Sequence, residues 1–151
     1  MGGRRKSESG PEGGERDTAP FRVRLVPESD GAFVVVRQGD YRRVGRVEYR
    51  PRCPGPDWLT ITEIDISREE RGWEYGSEAV RCLEKLAMEQ RLAGRFAAAV
   101  EPDDGLGLYF WLRLGYRPAA AEEAPRDGKF WLVRDCQVAR REHEAGIRTH
   151  R

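Results

Sequence analysis

Residues 68–80 read REERGWEYGSEAV, a glycine-bearing turn that opens into an amphipathic run. Arg71, Gly72 and Gly76 place one cation and two flexible backbone points directly before that run. A helix N-terminus leaves about four amides without partners and carries about half a positive charge, which suits a phosphate. Glycine lets the backbone approach an anion closely and adopt positive φ. Against this, Glu69, Glu70, Glu74 and Glu78 crowd the same turns. On these residues alone a phosphate cradle and an ordinary helix start are both open.

The rest of the chain limits the chemistry. The two histidines, His143 and His150, sit in a polar C-terminal stretch. A Ser-His-Asp triad, a histidine base in the core and a histidine-rich metal site are therefore not expected, and no metal is assigned. Cys53, Cys82 and Cys136 are odd in number and lack ligand-like spacing; Cys82 falls near a buried stripe. A formal net charge of +1 gives no global field for nucleic acid or membrane. Apolar runs such as FVVV and FAAAV are far shorter than a membrane span, and no secretory signal is visible. A soluble, reduced, cytoplasmic protein is expected.

The elements that must position the loop follow from periodicity. Residues 1–19 are Gly, Glu, Arg and Ser with little to bury and read as a disordered tail; residues 138–151 read as a polar tail. Residues 20–137 form the domain. Residues 21–26 alternate as a half-buried strand, and PESDGA leads into the β-branched run AFVVVRQ. Gly39 and Asp40 signal a hairpin turn into YRRVGRVEYR, with Gly45 as a bulge position. WLTITEIDI is a further strand ending near Ser67. From Gly76 a helix carries Ala79, Val80, Leu83, Leu86, Ala87 and Leu92 on its buried stripe, with Arg81, Glu84, Lys85 and Glu89 on the wet side and Gly94 as its stop. RFAAAV is an interior strand, LGLYFWLRLG a second helix closed by Gly115, and YRPA with DGKFWLVRD a terminal hairpin. The fold class is α/β of the α+β type: a mixed, mostly antiparallel sheet with a central βαβ unit.

In that order, LTITEIDISREERGWEYGSEAVRCLEKLA resembles the cofactor segment of the GNAT superfamily of acyl-CoA N-acyltransferases. That segment is a strand, a loop of the form R/Q-x-x-G-x-G/A, and a helix often beginning GSEAL. VGRVEYR resembles the family's preceding hairpin strand, RFAAAVEPDD its next strand, and LYFWLRLGYRP its A-x-x-x-Y-x-x-x-G-F segment. The resemblance spans about residues 21–134. It implies acetyl-CoA as acyl donor, with transfer to an amine by direct attack. Pantetheine would pair with the backbone of Ile64, Asp65 and Ile66. The pyrophosphate would be wrapped by Arg71, Gly72, Trp73, Glu74, Tyr75, Gly76 and Ser77. Asp104 sits where the family often has an asparagine near the cofactor. The acceptor would be a small-molecule or peptide amine, and homodimers are common in the family.

Three departures stand out. The middle glycine of the family loop falls on Glu74; a carboxylate ~4 Å from a pyrophosphate charge costs on the order of 1–4 kcal/mol. The family's tyrosine acid falls on Trp111, whose indole cannot protonate a thiolate in that way. Tyr109 is the alternative acid or an aromatic packing residue. Only PESDGA joins the first two strands where the family has one or two helices, so the acceptor side should be open or completed by a partner chain or the loop PRCPGPDW. Glu63 and Asp65 share one strand face: one is the general base, or the face is solvated and cross-strand paired. Trp58, Trp73 and Trp131 pack or line a pocket, and Trp73 is placed to cover an adenine. A non-catalytic acyl-CoA-binding or regulatory module on the same fold is the second reading. An interaction domain that binds a polyanion through YRRVGRVEYRPR is the third, opposed by its interspersed acids.

Overall fold

A computed structural model describes residues 21–136. Both tails, with His143 and His150, lie outside the described residues. The strands are β1 (Val23–Ser29), β2 (Ala32–Arg37), β3 (Arg43–Pro51), β4 (Trp58–Ile66), β5 (Arg95–Val100), β6 (Arg117–Pro118) and β7 (Phe130–Asp135). The helices are α1 (Tyr75–Glu89) and α2 (Gly105–Arg113). They form one seven-stranded sheet in the order β1-β2-β3-β4-β5-β7-β6. Every neighbouring pair is antiparallel except β4 and β5, which the α1 crossover makes parallel. The mixed sheet and central βαβ unit expected from the sequence are present.

Alternation decides which face each strand buries. Val23, Val35, Val47 and Leu59 are fully buried, and α1 lays Ala79, Val80, Leu83 and Ala87 over them at helical spacing. Trp111 and Leu114 of α2, with Tyr116, complete the same cluster. The opposite side of β3 and β4 carries Arg46, Glu48, Glu63 and Asp65, of which the last two are exposed. Among the described residues no helix is long and apolar enough to cross a membrane.

Several boundaries differ from expectation. β1 runs on to Ser29, with Glu28 out of register, and a two-residue turn at Asp30 and Gly31 leads straight into β2. Gly31 has φ +85°, which the turn requires. The bulge expected at Gly45 falls on its neighbour Val44, which has no opposite residue on β2. Gly45 is needed for another reason: a Cβ there would lie 2.4 Å from the Asp65 carbonyl oxygen. Helix α1 stops at Glu89, not near Gly94, because the chain turns through Arg91 at φ +57°. Gly115 does close α2: at φ +92° it donates to Leu112 O, and Tyr116 N–H donates to Trp111 O, the paired bonds of a Schellman end.

Glu84 was expected on the wet side of α1 and is instead 2% exposed. Tyr116 Oη donates to it at 2.5 Å, Arg134 Nη1 at 2.6 Å and Arg81 Nη1 at 3.3 Å. Helical spacing marks the face turned to the sheet. It does not show that the β6–β7 end wraps a second side of the helix.

Candidate functional site

The site begins where two parallel strands part. β4 and β5 pair from Trp58 opposite Arg95 to Ile61 opposite Ala98, and no further. Thr62 is the cause in the chain: it has no opposite residue on β3, since Glu48 faces Glu63 and Tyr49 faces Ile61. An extra residue of this kind bends and twists its strand. β4 then follows β3 to Ile66, whereas Ala99 and Val100 follow β7, so a wedge opens between the two strands.

Backbone phase decides what lines the wedge. Ser67 N–H donates to Val44 O at 2.8 Å, which turns the groups of Ser67 and Asp65 toward β3. Those of Ile64 and Ile66 therefore face the wedge. Asp65, expected to offer its backbone there, does not, because alternate residues point to opposite sides of a strand. The Ile66 carbonyl is already taken by Arg71 Nε at 2.9 Å. Arg71 thus folds back onto β4, with Nη2 3.8 Å from the Asp65 carboxylate.

Beyond β4 a short 3₁₀ turn, Arg68–Glu70, leads through Gly72 at φ +92° and Glu74 at φ +67° into α1. A Cβ on Gly72 would meet nothing within 4 Å, so the chain passes it through open space. The first bond of the helix runs from Glu78 N–H to Glu74 O at 3.2 Å. Among the described residues no acceptor meets the amides of residues 72–77. Gly72 and residues 74–77 border a hollow of about 300 Å³ between the loop, Ile66 and the α2 residues Phe110 and Arg113. A larger hollow, about 990 Å³, lies near the far end of α1 beside Met88 and Cys136 and shares none of this chemistry.

The four glutamates have separate fates. Glu70 is 6% exposed and held by Arg37 (3.1 Å) and Arg42 (2.8 Å), which ties the loop to the β2–β3 hairpin. Glu78 accepts from Arg22 Nε at 2.5 Å and from the Arg22 amide at 2.6 Å, while the same guanidinium holds the Trp73 carbonyl. Glu69 is exposed. Glu70 and Glu74 both border the hollow, but Glu70 is neutralised from the hairpin side, whereas the Glu74 carboxylate reaches only across the hollow, to Arg113 Nη2 at 3.4 Å. Sequence reading missed Arg22, Arg37, Arg42 and Arg113, because each lies at least 28 residues from its partner in a chain rich in arginine.

The remaining candidates fall in different places. Glu63 and Asp65 stand on the sheet face away from the helices, Glu63 directly opposite Glu48. Glu48 in turn is paired with Arg46, which also binds Glu28 at 2.7 Å. Asp104 caps α2, its carboxylate accepting from Gly107 N–H at 2.9 Å. Trp111 is 6% exposed, with Phe110 and Tyr116 edge-on to its ring. Tyr109 is not core packing but 61% exposed, with the Arg113 guanidinium 5.7 Å from its ring centre. Trp73 is 59% exposed at the loop. Tyr116 is buried, and burial together with the Glu84 carboxylate holds its phenol well above the usual range. Among the described residues no group of three or more His, Cys, Asp or Glu is placed to hold a metal.

No protein-family model matches the sequence, and no curated protein matches it. Solved structures are similar in fold. A GNAT-family acetyltransferase from Bacillus anthracis aligns at TM-score 0.57 and 16% identity over 70% of this chain. The chain spans 66% of that relative, just under two thirds. A GNAT-family acetyltransferase from Elizabethkingia anophelis with acetyl-CoA bound aligns at TM-score 0.59 and 8% identity, over 76% of this chain and 98% of the other. A Bacillus subtilis acetyltransferase in complex with CoA aligns at TM-score 0.57 and 12% identity, again over 76% and 98%. The sheet order, the parting of β4 from β5 and the loop leading into α1 make this the GNAT acyl-CoA N-acyltransferase fold.

Proposed function

We propose that the chain is an N-acyltransferase that moves an acetyl group from acetyl-CoA to an amine by direct attack. The observation that carries this reading is the wedge between β4 and β5, which leads to the unpartnered amides of residues 72–77. Pantetheine is an extended amide chain, and the Ile64 groups with the Ile66 amide offer it a strand edge. The amides at the helix start offer the pyrophosphate donors and a favourable dipole. Two similar structures hold acetyl-CoA or CoA, which supports the same ligand here.

The amine would approach from the face away from the helices, which the two-residue turn between β1 and β2 leaves uncovered. Glu63 is the proposed base, because it follows the bulge directly and the Asp65 carboxylate has Arg71 within 3.8 Å. It takes the ammonium proton, directly or through one water, and the free amine attacks the thioester carbonyl. The nitrogen of the tetrahedral adduct gives its extra proton to water, and the adduct collapses to the neutral amide and expels the thiolate of CoA. Tyr109 is the candidate proton donor to that thiolate, with an exposed phenol on the side of α2 that carries Arg113. The acceptor is proposed to be a small-molecule or peptide amine.

A specific observation favours a second reading, a non-catalytic acyl-CoA-binding module. Trp111 fills the core at the position where the resemblance puts a tyrosine acid, and Glu74 borders the hollow for the pyrophosphate. Thermal melts with CoA and acetyl-CoA test binding, since ligand at 100 times its Kd adds about 2.7 kcal/mol of stability. No shift at millimolar ligand overturns both readings. Thiol release with mixed amines then separates them. Glu63→Gln should lower the rate about 100-fold or more while leaving CoA binding intact.

A further inference from the structure

The hollow at the loop has two cations on its border, Arg71 and Arg113, and they are differently placed. Arg71 is spent on the end of β4, where it holds the Ile66 carbonyl and faces Asp65. Arg113 comes from the last turn of α2 and reaches across to the loop. Its contact with Glu74 is long, 3.4 Å, and the two side chains are 51% and 53% exposed. A guanidinium carries five donors in a planar fork that fits two oxygens of one phosphate. One long contact to a carboxylate uses little of that capacity. The Tyr109 ring lies against the guanidinium one helical turn away, so Arg113 has a support that does not depend on Glu74.

We propose that Arg113 is a phosphate ligand for the acyl donor, held at the cradle by Glu74 as a stand-in anion. The proposal rests on the acyl-CoA reading above and names a residue that the loop's sequence does not reveal. Donor binding exchanges one anion for another: the Glu74 carboxylate swings out to solvent, and a pyrophosphate oxygen takes the guanidinium. Glu74 has a left-handed backbone, φ +67°, makes no capping bond to α1, and extends its carboxylate to Arg113 of α2. The exchange makes the cradle selective for charge. A ligand with a single weak anionic group cannot replace the carboxylate at a gain, whereas a pyrophosphate presents more charge and more acceptor oxygens than Glu74 does.

The test is a four-protein cycle of wild type, Glu74→Gln, Arg113→Gln and the double variant, with CoA as titrant in a calorimeter and inorganic pyrophosphate as a second probe. Glu74→Gln should tighten CoA about two- to fivefold, because donor binding no longer has to break the half-exposed ion pair with Arg113. Arg113→Gln should weaken CoA about tenfold or more in both backgrounds, the cost of a lost charge-assisted bond. The double variant decides the matter. If Arg113 served only to neutralise Glu74, its removal from Glu74→Gln would leave CoA binding unchanged, and that result overturns the proposal while the acyl-CoA reading stands. If none of the four proteins binds CoA at millimolar concentration, the acyl-CoA reading itself is overturned. Pyrophosphate should follow the same order as CoA; an Arg113 effect seen with CoA and not with pyrophosphate would rule out the assigned contact. Both residues are half-exposed, and unchanged circular dichroism verifies that each variant folds.

Discussion

Glu74→Gly should make the protein more stable as well as a better binder, and the two effects have different origins. Glu74 adopts φ +67° and ψ 22°, the left-handed region, and its side chain makes no capping bond to the helix it begins. That conformation costs a residue with a Cβ about 1–2 kcal/mol relative to glycine. Glycine gives back part of this, roughly 0.4–1 kcal/mol, through the greater freedom of its unfolded chain. The ion pair with Arg113 is half in water and contributes about 0–1 kcal/mol, less with salt. Glu74→Ala removes the same ion pair and keeps the Cβ, so it isolates the backbone effect. Glu74→Gly is therefore expected to exceed Glu74→Ala by about 1 kcal/mol, which for a domain of this size is a rise in Tm of about 3–6 °C. Urea melts followed by circular dichroism at 0.15 M salt read the difference directly. Equal stability of the two variants, or greater stability of Glu74→Ala, would refute a left-handed Glu74 and with it the aim of its side chain at α2.

Three other outcomes are expected. Glu84→Ala leaves the buried Tyr116 hydroxyl and the one-third exposed Arg134 guanidinium without their acceptor and should cost about 2–4 kcal/mol in a urea melt; a loss below about 1 kcal/mol would mean that water reaches the cluster. Gly45→Ala puts a Cβ 2.4 Å from the Asp65 carbonyl oxygen, so β3 and β4 must part, with a loss of about 1–3 kcal/mol or more and faster hydrogen exchange at Ile64 and Ile66. Burial pushes the Cys82 and Cys136 thiols up to about 11. Folding then favours the protonated thiols, so stability is full below the ordinary thiol range and falls as pH rises from about 9 toward 11. In the native protein at pH 8, iodoacetamide should label the half-buried Cys53 well before the other two, and equal labelling would contradict their burial.

Local sequence was enough for much of the fold. Alternation in β1 to β4 follows from a sheet with one face buried, and the stripe from Ala79 to Ala87 follows from a helix with one side on that sheet. Gly115 announced the end of α2 because few other residues tolerate φ +92° there. The loop of residues 71–77 was legible for the same reason: glycine before an amphipathic run reports a helix start whatever surrounds it. Asp104 caps α2, which follows from the ordinary N-cap preference of aspartate and needs no resemblance to account for it.

Periodicity tells which way a side chain faces within its own element; it does not tell what another element brings to meet it. Glu84 looked solvated until the β6–β7 end placed Tyr116 and Arg134 against it, 32 and 50 residues away. Strand alternation sends the backbone groups of Asp65 and Ile64 to opposite sides, and only the pairing of β4 with β3 decides which of the two faces the wedge. The crowd of glutamates around Arg71 posed a question of charge that the chain by itself left open. Tertiary structure settled it by distributing cations: Arg37 and Arg42 to Glu70, Arg22 to Glu78, and Arg113 to Glu74. An ion pair between distant residues is fixed by the packing of whole elements, so no local pattern records it, and the Glu74–Arg113 pair across the hollow is of this kind.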